Sequence, residues 1–294
     1  RYTEAKLDSF SAELFADIDK DTVDFVDNYD GTTKEPTLLP VTFPNIIVNP
    51  NLGIAVGMAS NICSFNLAEV CKTTVSLIKN PKHNIMKTLK APDFSTGGQL
   101  IYRADEMEKI YRTGKGSFRV RAKYQYDKKN HCIEITEIPY TTTAEAIMDK
   151  IAELVKQNKC KEISDVRDET DLKGLKITID VKRSTDPDAL MSKLFKLTTL
   201  EDSFGCNFNI LIGNTPKVCG IAEILEEWTA FRVDCIKRRL YYDIQKMKEK
   251  LHLLYGLREI LLDIDKAISI IRNTEAERDV VPNLMKGFSI DQVQ

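Results

Sequence analysis

No apolar run in the 294 residues approaches the ~20 needed to span a bilayer. The opening RYTEAKLDSF also lacks the layout of a signal peptide. Membrane partners and a secretory route are therefore not expected. Cysteine occurs seven times (63, 71, 132, 160, 206, 219, 235) but never as C-x-x-C, and an odd, scattered set suits reduced thiols better than a disulfide framework or a zinc site. Three isolated histidines, His83, His131 and His252, make no H-E-x-x-H and no histidine-built metal centre. A P-loop is missing as well. Thr113-Gly114-Lys115-Gly116-Ser117 would need glycine where Lys109 stands, and its G-x-G has no third glycine. No acidic run is assigned as a magnesium site, so no metal ligand is named.

What is present describes an ordinary globular chain, 43% hydrophobic and 29% charged, long enough for two domains or one large one. The net charge of −2 conceals a split. Residues 1–50 carry ten acids against four bases, whereas residues 82–130 carry twelve Lys or Arg against five Asp or Glu. A basic block is usually a solvated surface, but it is also the footprint of a DNA-binding face.

Along the chain, Leu7, Phe10, Leu14, Phe15 and Ile18 recur at helical spacing and predict a short amphipathic helix. An acidic loop follows, with Asp30-Gly31 as its turn. The stretch 44–67, PNIIVNPNLGIAVGMASNICSFNL, sets Gly53, Ala55, Gly57 and Ala59 among apolar residues, so its backbone can approach something closely. On composition alone it is a packed turn between two strands. Asn66 is a plausible cap for a helix over 66–79. Residues 118–124 alternate, which places Arg119, Arg121 and Lys123 on one face of a strand. That face is either solvated or laid along phosphates. Asp127 to Asn130 turn the chain into a partner strand from Cys132. Thr142-x-x-Glu145 reads as a capping box for a helix over 144–157, residues 174–183 as a strand, and Asp186-Pro187 as the start of another helix. From Ile221 apolar residues advance by threes and fours to Asn273, a helix of ~50 residues that needs a partner. Arg238-Arg239 and the lysines around them are expected in solvent.

Three segments in order, RYTE (1–4), VDFVDNYDG (23–31) and GIAVGMASNI (53–62), resemble the A subunits of bacterial type IIA DNA topoisomerases, gyrase and topoisomerase IV. PDFSTGGQL (92–100) resembles the family's P-D-F-P-T-G-G. The chain departs from the family at Val48-Asn49-Pro50, where many members read V-N-G, and at Cys63-Ser64-Phe65, where they read P-P-H.

The resemblance implies an α+β fold. Residues 1–43 would end a winged-helix cleavage domain, 44–220 form a mixed tower domain of sheet and helices, 221–275 a coiled-coil arm, and 276–294 the start of an exit gate. It covers the whole chain as a middle piece of such a protein. Tyr2 is implied as the nucleophile that stores a DNA phosphodiester as a 5′-phosphotyrosyl link, with Arg1 beside it. Ile54 is implied as a wedge between base steps, and Lys115, Arg119, Arg121 and Lys123 as DNA contacts. The activity would be ATP-dependent double-strand passage that changes supercoiling or decatenates, carried out by the assembly and not by this piece alone. Double-stranded DNA, a B subunit, and a second copy of the A subunit in a heterotetramer are the implied partners, in a bacterial cytoplasm and on the chromosome. Mg2+ and ATP enter through the B subunit, with no cofactor bound by this chain. A non-enzymatic DNA-bending or coiled-coil scaffold is the alternative.

Overall fold

The computed structural model describes residues 4–294. Two compact units emerge, one of residues 43–229, the other of the segment before residue 43 together with 230–294. The architecture is α+β, as expected.

In the N-terminal segment the expected amphipathic helix is replaced by two 3-10 turns, Ser9–Glu13 and Ile18–Lys20. Short acidic residues explain the change, because such side chains can bond the backbone locally, as Asp8 does, and disfavour α-helix. The Asp8 carboxylate accepts from the Phe10 N–H, while Asp17 and Asp21 sit in the left-handed region at φ 59° and 55°. The acidic loop is a hairpin of β1 (Phe25–Asp27) and β2 (Lys34–Pro36). Its turn is the one expected: Gly31 has φ +68°, and the Asp30 carboxylate holds the Thr32 N–H and hydroxyl.

Residues 43–229 contribute, in chain order, α1 (Asn45–Val48), β3 (Asn51–Ala55), β4 (Met58–Ile62), α2 (Leu67–Lys79), β5 (Gln99–Ile101), α3 (Ala104–Thr113), β6 (Lys115–Arg121) and β7 (Lys123–Asp127). β8 (Cys132–Glu137), α4 (Ala144–Lys156), β9 (Ile163–Asp168), β10 (Ile177–Val181), α5 (Pro187–Leu197), β11 (Glu201–Asn207), β12 (Asn209–Ile212) and β13 (Thr215–Val218) follow. One antiparallel sheet has the order β3-β4-β11-β6-β5, a second β7-β8-β10-β9, and β12 pairs with β13 alone. Beneath the first sheet, Ile62, Phe118, Val120, Phe204 and Cys206 pack with Val70 of α2 and with Met107 and Ile110 of α3. Beneath the second, Ile133, Ile135, Ile177 and Ile179 meet Ile147 and Ile151 of α4 and Leu190 and Leu194 of α5. Each fully buried aliphatic side chain stabilises by ~1.5–3 kcal/mol.

Asn66 caps α2 as expected, accepting from the Ala68 and Glu69 N–H groups, and Asp186 caps α5 with Pro187 behind it. The α4 cap falls one residue later than expected. Thr143 accepts from the Ala146 N–H, leaving the Thr142 hydroxyl to bond that of Thr199. The expected 118–124 strand is also divided. Ala122 is fully buried and its N–H donates to the Leu200 carbonyl, so β6 belongs to the first sheet and β7 to the second.

The long helix α6 (Ile221–Leu262) is shorter than expected. Asp263 interrupts it and caps α7 (Ile264–Asn273) by accepting from the Lys266 N–H, and α8 (Val280–Phe288) packs back on α7. Arg238 and Arg239 do not extend freely into solvent. Arg238 binds Asp21 and Asp24, Arg239 binds Asp17, and Lys20 binds Asp17 and Asp243. Lys20 first, and Arg239 beside it, hold the Asp17 carboxyl below its ordinary range.

Gly114 ends α3 at φ +70°, and a Cβ there would collide with the carbonyl oxygen of Cys219. Gly114→Ala is expected to lower stability by more than ~3 kcal/mol, strain and clash combined. Gly213→Ala has the same sign of φ but open space around its Cβ, and should cost only ~1–2 kcal/mol. Thermal denaturation of the two variants gives the comparison; equal losses would contradict it.

Candidate nucleic-acid interface

Arg1 and Tyr2, the residues assigned to cleavage chemistry, lie outside the described residues. The remaining assigned residues all fall in the unit 43–229.

Ile54 sits on β3, an edge strand, two residues before the Val56-Gly57 turn. Gly57 adopts φ +83°, which only glycine takes at little cost. Ile54 is 85% exposed, and Leu52, on the same strand face, is 70% exposed. Its cross-strand neighbour is Ala59, too small to cover it. The packed-turn reading of this stretch therefore fails at its tip. The apolar residues that do pack are Ile47 and Ile62, at the two ends.

The β3–β4 ribbon is joined to the sheet by little backbone. β4 pairs with β11 at Asn61↔Asn207 alone. Three asparagine side chains make the remaining bonds. Asn61 Nδ2 donates to the Gly205 carbonyl at 2.6 Å, Asn207 Nδ2 to the Ala59 carbonyl at 2.7 Å, and Asn209 Nδ2 to the same oxygen at 3.4 Å.

Beside the ribbon lies the open face of the sheet. Because Phe118, Val120, Phe204 and Cys206 point into the core, Lys115, Ser117 and Arg119 of β6 and Ser203 and Gly205 of β11 point out. Small and polar groups alternate with cations across this face, and a Cβ at Gly205 would meet nothing within 4 Å.

The four assigned cations do not form one row. Arg119 and Arg121 share β6 and converge on Glu201, at 2.8 and 2.6 Å. That carboxylate is only 5% exposed. Two guanidiniums around one carboxylate leave a net charge of +1. Arg121 also lies over the Phe195 ring at 4.5 Å. Lys123 begins β7 in the other sheet and pairs with Glu137 at 2.9 Å. It does not share a strand face with the arginines, and that expectation is corrected. The Lys123 ammonium, and after it the Gly98 N–H, holds the Glu137 carboxyl below its ordinary range. Lys115 is exposed at the start of β6, with no ion pair among the described residues.

Glu201, Asn61, Asn207 and Asn209 were missed by reading the sequence. The asparagines carried a signal, since Asn is depleted in strands and here it recurs in three of them. Glu201 carried none.

Acidic clusters in the described residues fit a structural role. Asp17, Asp19 and Asp21 alternate in the D-x-D manner of some magnesium sites, but Asp17 and Asp21 are held by Lys20, Arg238 and Arg239. Asp127, Cys132 and Glu134 lie within reach of one ion. There Asp127 accepts from the Lys129 and Asn130 N–H groups, and Glu134 from Gln125 and Lys176. In both places the carboxylates already have hydrogen-bonding or cationic partners within the chain.

A family model for the DNA gyrase/topoisomerase IV A subunit matches residues 1–294. Curated relatives named as the A subunit of DNA gyrase include that of Borreliella burgdorferi, 39% identical over 100% of this chain and 37% of the relative. Those of Mycoplasma genitalium and Clostridium acetobutylicum are 38% and 40% identical, over 100% of this chain and 36% of each relative. The chain thus spans a little over a third of the length of these relatives. No described helix is long and apolar enough to cross a membrane.

If Ile54 is as exposed as the ribbon shows, Ile54→Ala should change stability by less than ~0.5 kcal/mol, the usual scale for a surface site. Ile62→Ala, at 0% exposure on the same ribbon, should cost ~2–5 kcal/mol. Chemical denaturation of both variants measures the difference. A large loss at position 54 would put that side chain back in the core.

Proposed function

The chain belongs to the family of DNA gyrase and topoisomerase IV A subunits, and from that premise we propose that it forms the central part of a DNA breakage-reunion subunit. The assembly would change DNA supercoiling or linkage by transient double-strand cleavage, strand passage and resealing. The observation that carries the reading beyond family membership is the exposed Ile54 on an edge ribbon, beside a small-residue, polar and basic sheet face. Few folding constraints account for a bare isoleucine there. An apolar wedge between base steps does, at a cost of a few kcal/mol in unstacking, and the resulting bend brings flanking duplex onto the neighbouring basic face.

In the proposed reaction the Tyr2 phenol oxygen attacks a backbone phosphorus. The new bond joins tyrosine to the 5′-phosphate, the bond from phosphorus to the 3′-oxygen breaks, and that oxygen takes up a proton to leave a 3′-hydroxyl. Reversal reseals the strand with no external energy. Tyrosine, with an ordinary pKa near 10, needs help at neutral pH. Arg1 would supply it by favouring the phenolate and the added negative charge of the transition state. Lys115 and Arg119 would meet phosphates, with Arg121 behind them. Lys123, in the other sheet, is proposed as a flanking contact.

Two copies of the protein would cut the two strands, and a B subunit would bring ATP hydrolysis and Mg2+. Residues 1–43 are proposed as the end of a winged-helix domain, 44–220 as the tower, 221–275 as a coiled-coil arm and 276–294 as the start of the exit gate. A cytoplasmic, chromosome-associated location follows from that role.

In the full-length protein with its partner, Tyr2→Phe should abolish the covalent DNA–protein adduct while DNA affinity stays nearly unchanged. Arg1→Ala should slow cleavage by roughly 10²–10³-fold. Adduct formation by Tyr2→Phe at the wild-type rate would refute the assignment.

Glu201→Gln tests the basic face separately. Loss of the carboxylate that joins two guanidiniums should lower stability, because breaking a buried pair strands charge. The same change adds one positive charge beside the DNA, so the logarithmic salt slope of binding should steepen by about 0.9. A slope unchanged within error would remove this face from the DNA contact.

A further inference from the structure

Four antiparallel strand pairings hold the five-stranded sheet together, and they are very unequal. β6 and β11 pair over seven consecutive residues, and β3 and β4 over five. The pairing of β4 with β11, which alone ties the Ile54 ribbon to the sheet, is registered at one residue pair. A two-stranded hairpin is marginal by itself in water, so something other than the ladder must fix the ribbon.

We infer that Asn61 and Asn207 are positioning residues, a side-chain clamp that holds the β3–β4 ribbon at a fixed angle to the sheet so that Ile54 meets DNA as a rigid wedge. The inference rests on the wedge reading of Ile54 given above. The two amides act reciprocally across the same strand pair. Asn61 on β4 donates to a β11 carbonyl, that of Gly205, and Asn207 on β11 donates to a β4 carbonyl, that of Ala59. Ala59 is the residue directly opposite Ile54. The Asn207 bond therefore ends within one cross-strand step of the wedge itself. The amide orientation is fixed by chemistry, because the reverse rotamer would set Asn207 Oδ1 against the Ala59 carbonyl, acceptor to acceptor. Asn209 adds a longer bond to the same oxygen from the start of β12. A loose hinge would lose much of the wedge's effect, since energy gained on inserting the side chain would be offset by ordering the ribbon.

The clamp is tested in the full-length protein together with its partner. Variants Asn207→Ala, Asn61→Ala, Asn207→Asp and Ile54→Ala are compared by three readouts. These are amide hydrogen exchange over residues 53–60 in the free protein, affinity for a linear duplex, and the bend angle of that duplex from donor–acceptor fluorescence. With the clamp removed, exchange over 53–60 should quicken by about tenfold per lost bond, while amides of Phe118 to Val120 in the sheet core stay protected. Affinity should stay within about threefold of wild type, the phosphate contacts being intact, but the bend angle should fall towards that of Ile54→Ala. Asn207→Asp keeps the shape and lacks the donor, so it should behave as Asn207→Ala does.

Wild-type exchange over 53–60 in both alanine variants overturns the clamp, as does wild-type behaviour of Asn207→Asp. So does normal bending in both alanine variants when Ile54→Ala has lost it. A uniform fall in melting temperature, affinity and bending together also counts against it, because that is the mark of general unfolding. Should Asn207→Ala fail to fold, Asn61→Ala carries the same expectations through its own 2.6 Å bond to Gly205. If Ile54→Ala itself bends DNA normally, the wedge reading fails, and the exchange data alone decide whether the ribbon is clamped.

Discussion

Burying Phe118, Val120, Phe204 and Cys206 on one side of the sheet sends Lys115, Ser117, Arg119, Ser203 and Gly205 to the other, because strand side chains alternate with a period of two. The register is held where aromatic rings face each other. Phe118 lies directly opposite Phe204, with ring centroids 5.4 Å apart and planes 16° from parallel. A slip of one residue would drive Arg119 into the core and Phe118 into solvent. The placement of every cation on this face thus depends on a pair of buried phenylalanines on its other side. The face is a consequence of the core.

The same sheet then limits its own charge. Glu201 begins β11 directly opposite Arg121 and next to the row of Arg119, so its buried carboxylate takes a hydrogen bond from Arg121 and pairs with Arg119. A buried carboxylate with two guanidiniums is a costly arrangement to desolvate. What it supplies is geometry, since planar guanidinium groups become fixed with their remaining N–H groups turned outward. The N-terminal segment shows the same chemistry at lower stakes, where Arg238 and Arg239 of α6 hold Asp17, Asp21 and Asp24 in half-buried or exposed pairs. Surface pairs of that kind contribute little to stability. Their effect is to account for an acidic stretch that a tally of residues alone leaves unexplained.

Much of the fold was legible because its signals are local. Asn66 and Asp186 cap helices where their sequence position says they should, and the alternation from Phe118 and from Gly174 announces strands. The errors also have local causes. An apolar spacing over residues 7–18 loses to Asp8, whose carboxylate bonds the backbone nearby, and to Asp17 and Asp21, which stand in the left-handed region. The stripe after Ile221 passes smoothly over Asp263, yet Asp263 breaks the helix because it caps the next one. Alternation runs unbroken through Ala122, but a small buried residue there lets the chain leave one sheet for another. The site was legible only in part. Ile54 and the arginines stand out by type, whereas Glu201 matters because it lies 80 residues away in sequence and one strand away in space. Nothing in a single sequence carries that proximity.

Edge strands are usually protected, by charge, proline, a bulge or a cover, because an exposed apolar edge invites pairing with another chain. β3 is an edge, and its exposed residues Leu52 and Ile54, with Val56 in the turn beyond it, carry no charge between them. Pro50 blocks the strand's start, but nothing blocks its tip. Each exposed side chain gives up the ~1.5–3 kcal/mol that burial would return, and the arrangement adds an aggregation liability. Elsewhere in the unit 43–229 local rules agree with the fold at the caps of α2, α4 and α5 and at the Gly114 stop of α3. A broken rule among kept ones is what a functional surface produces, in keeping with the wedge proposed for Ile54. The asparagines beneath the ribbon point the same way. They are weak strand formers placed where a stronger ladder of valine or isoleucine would have been simple, and their side chains lock the position of a tip that folding by itself does not need.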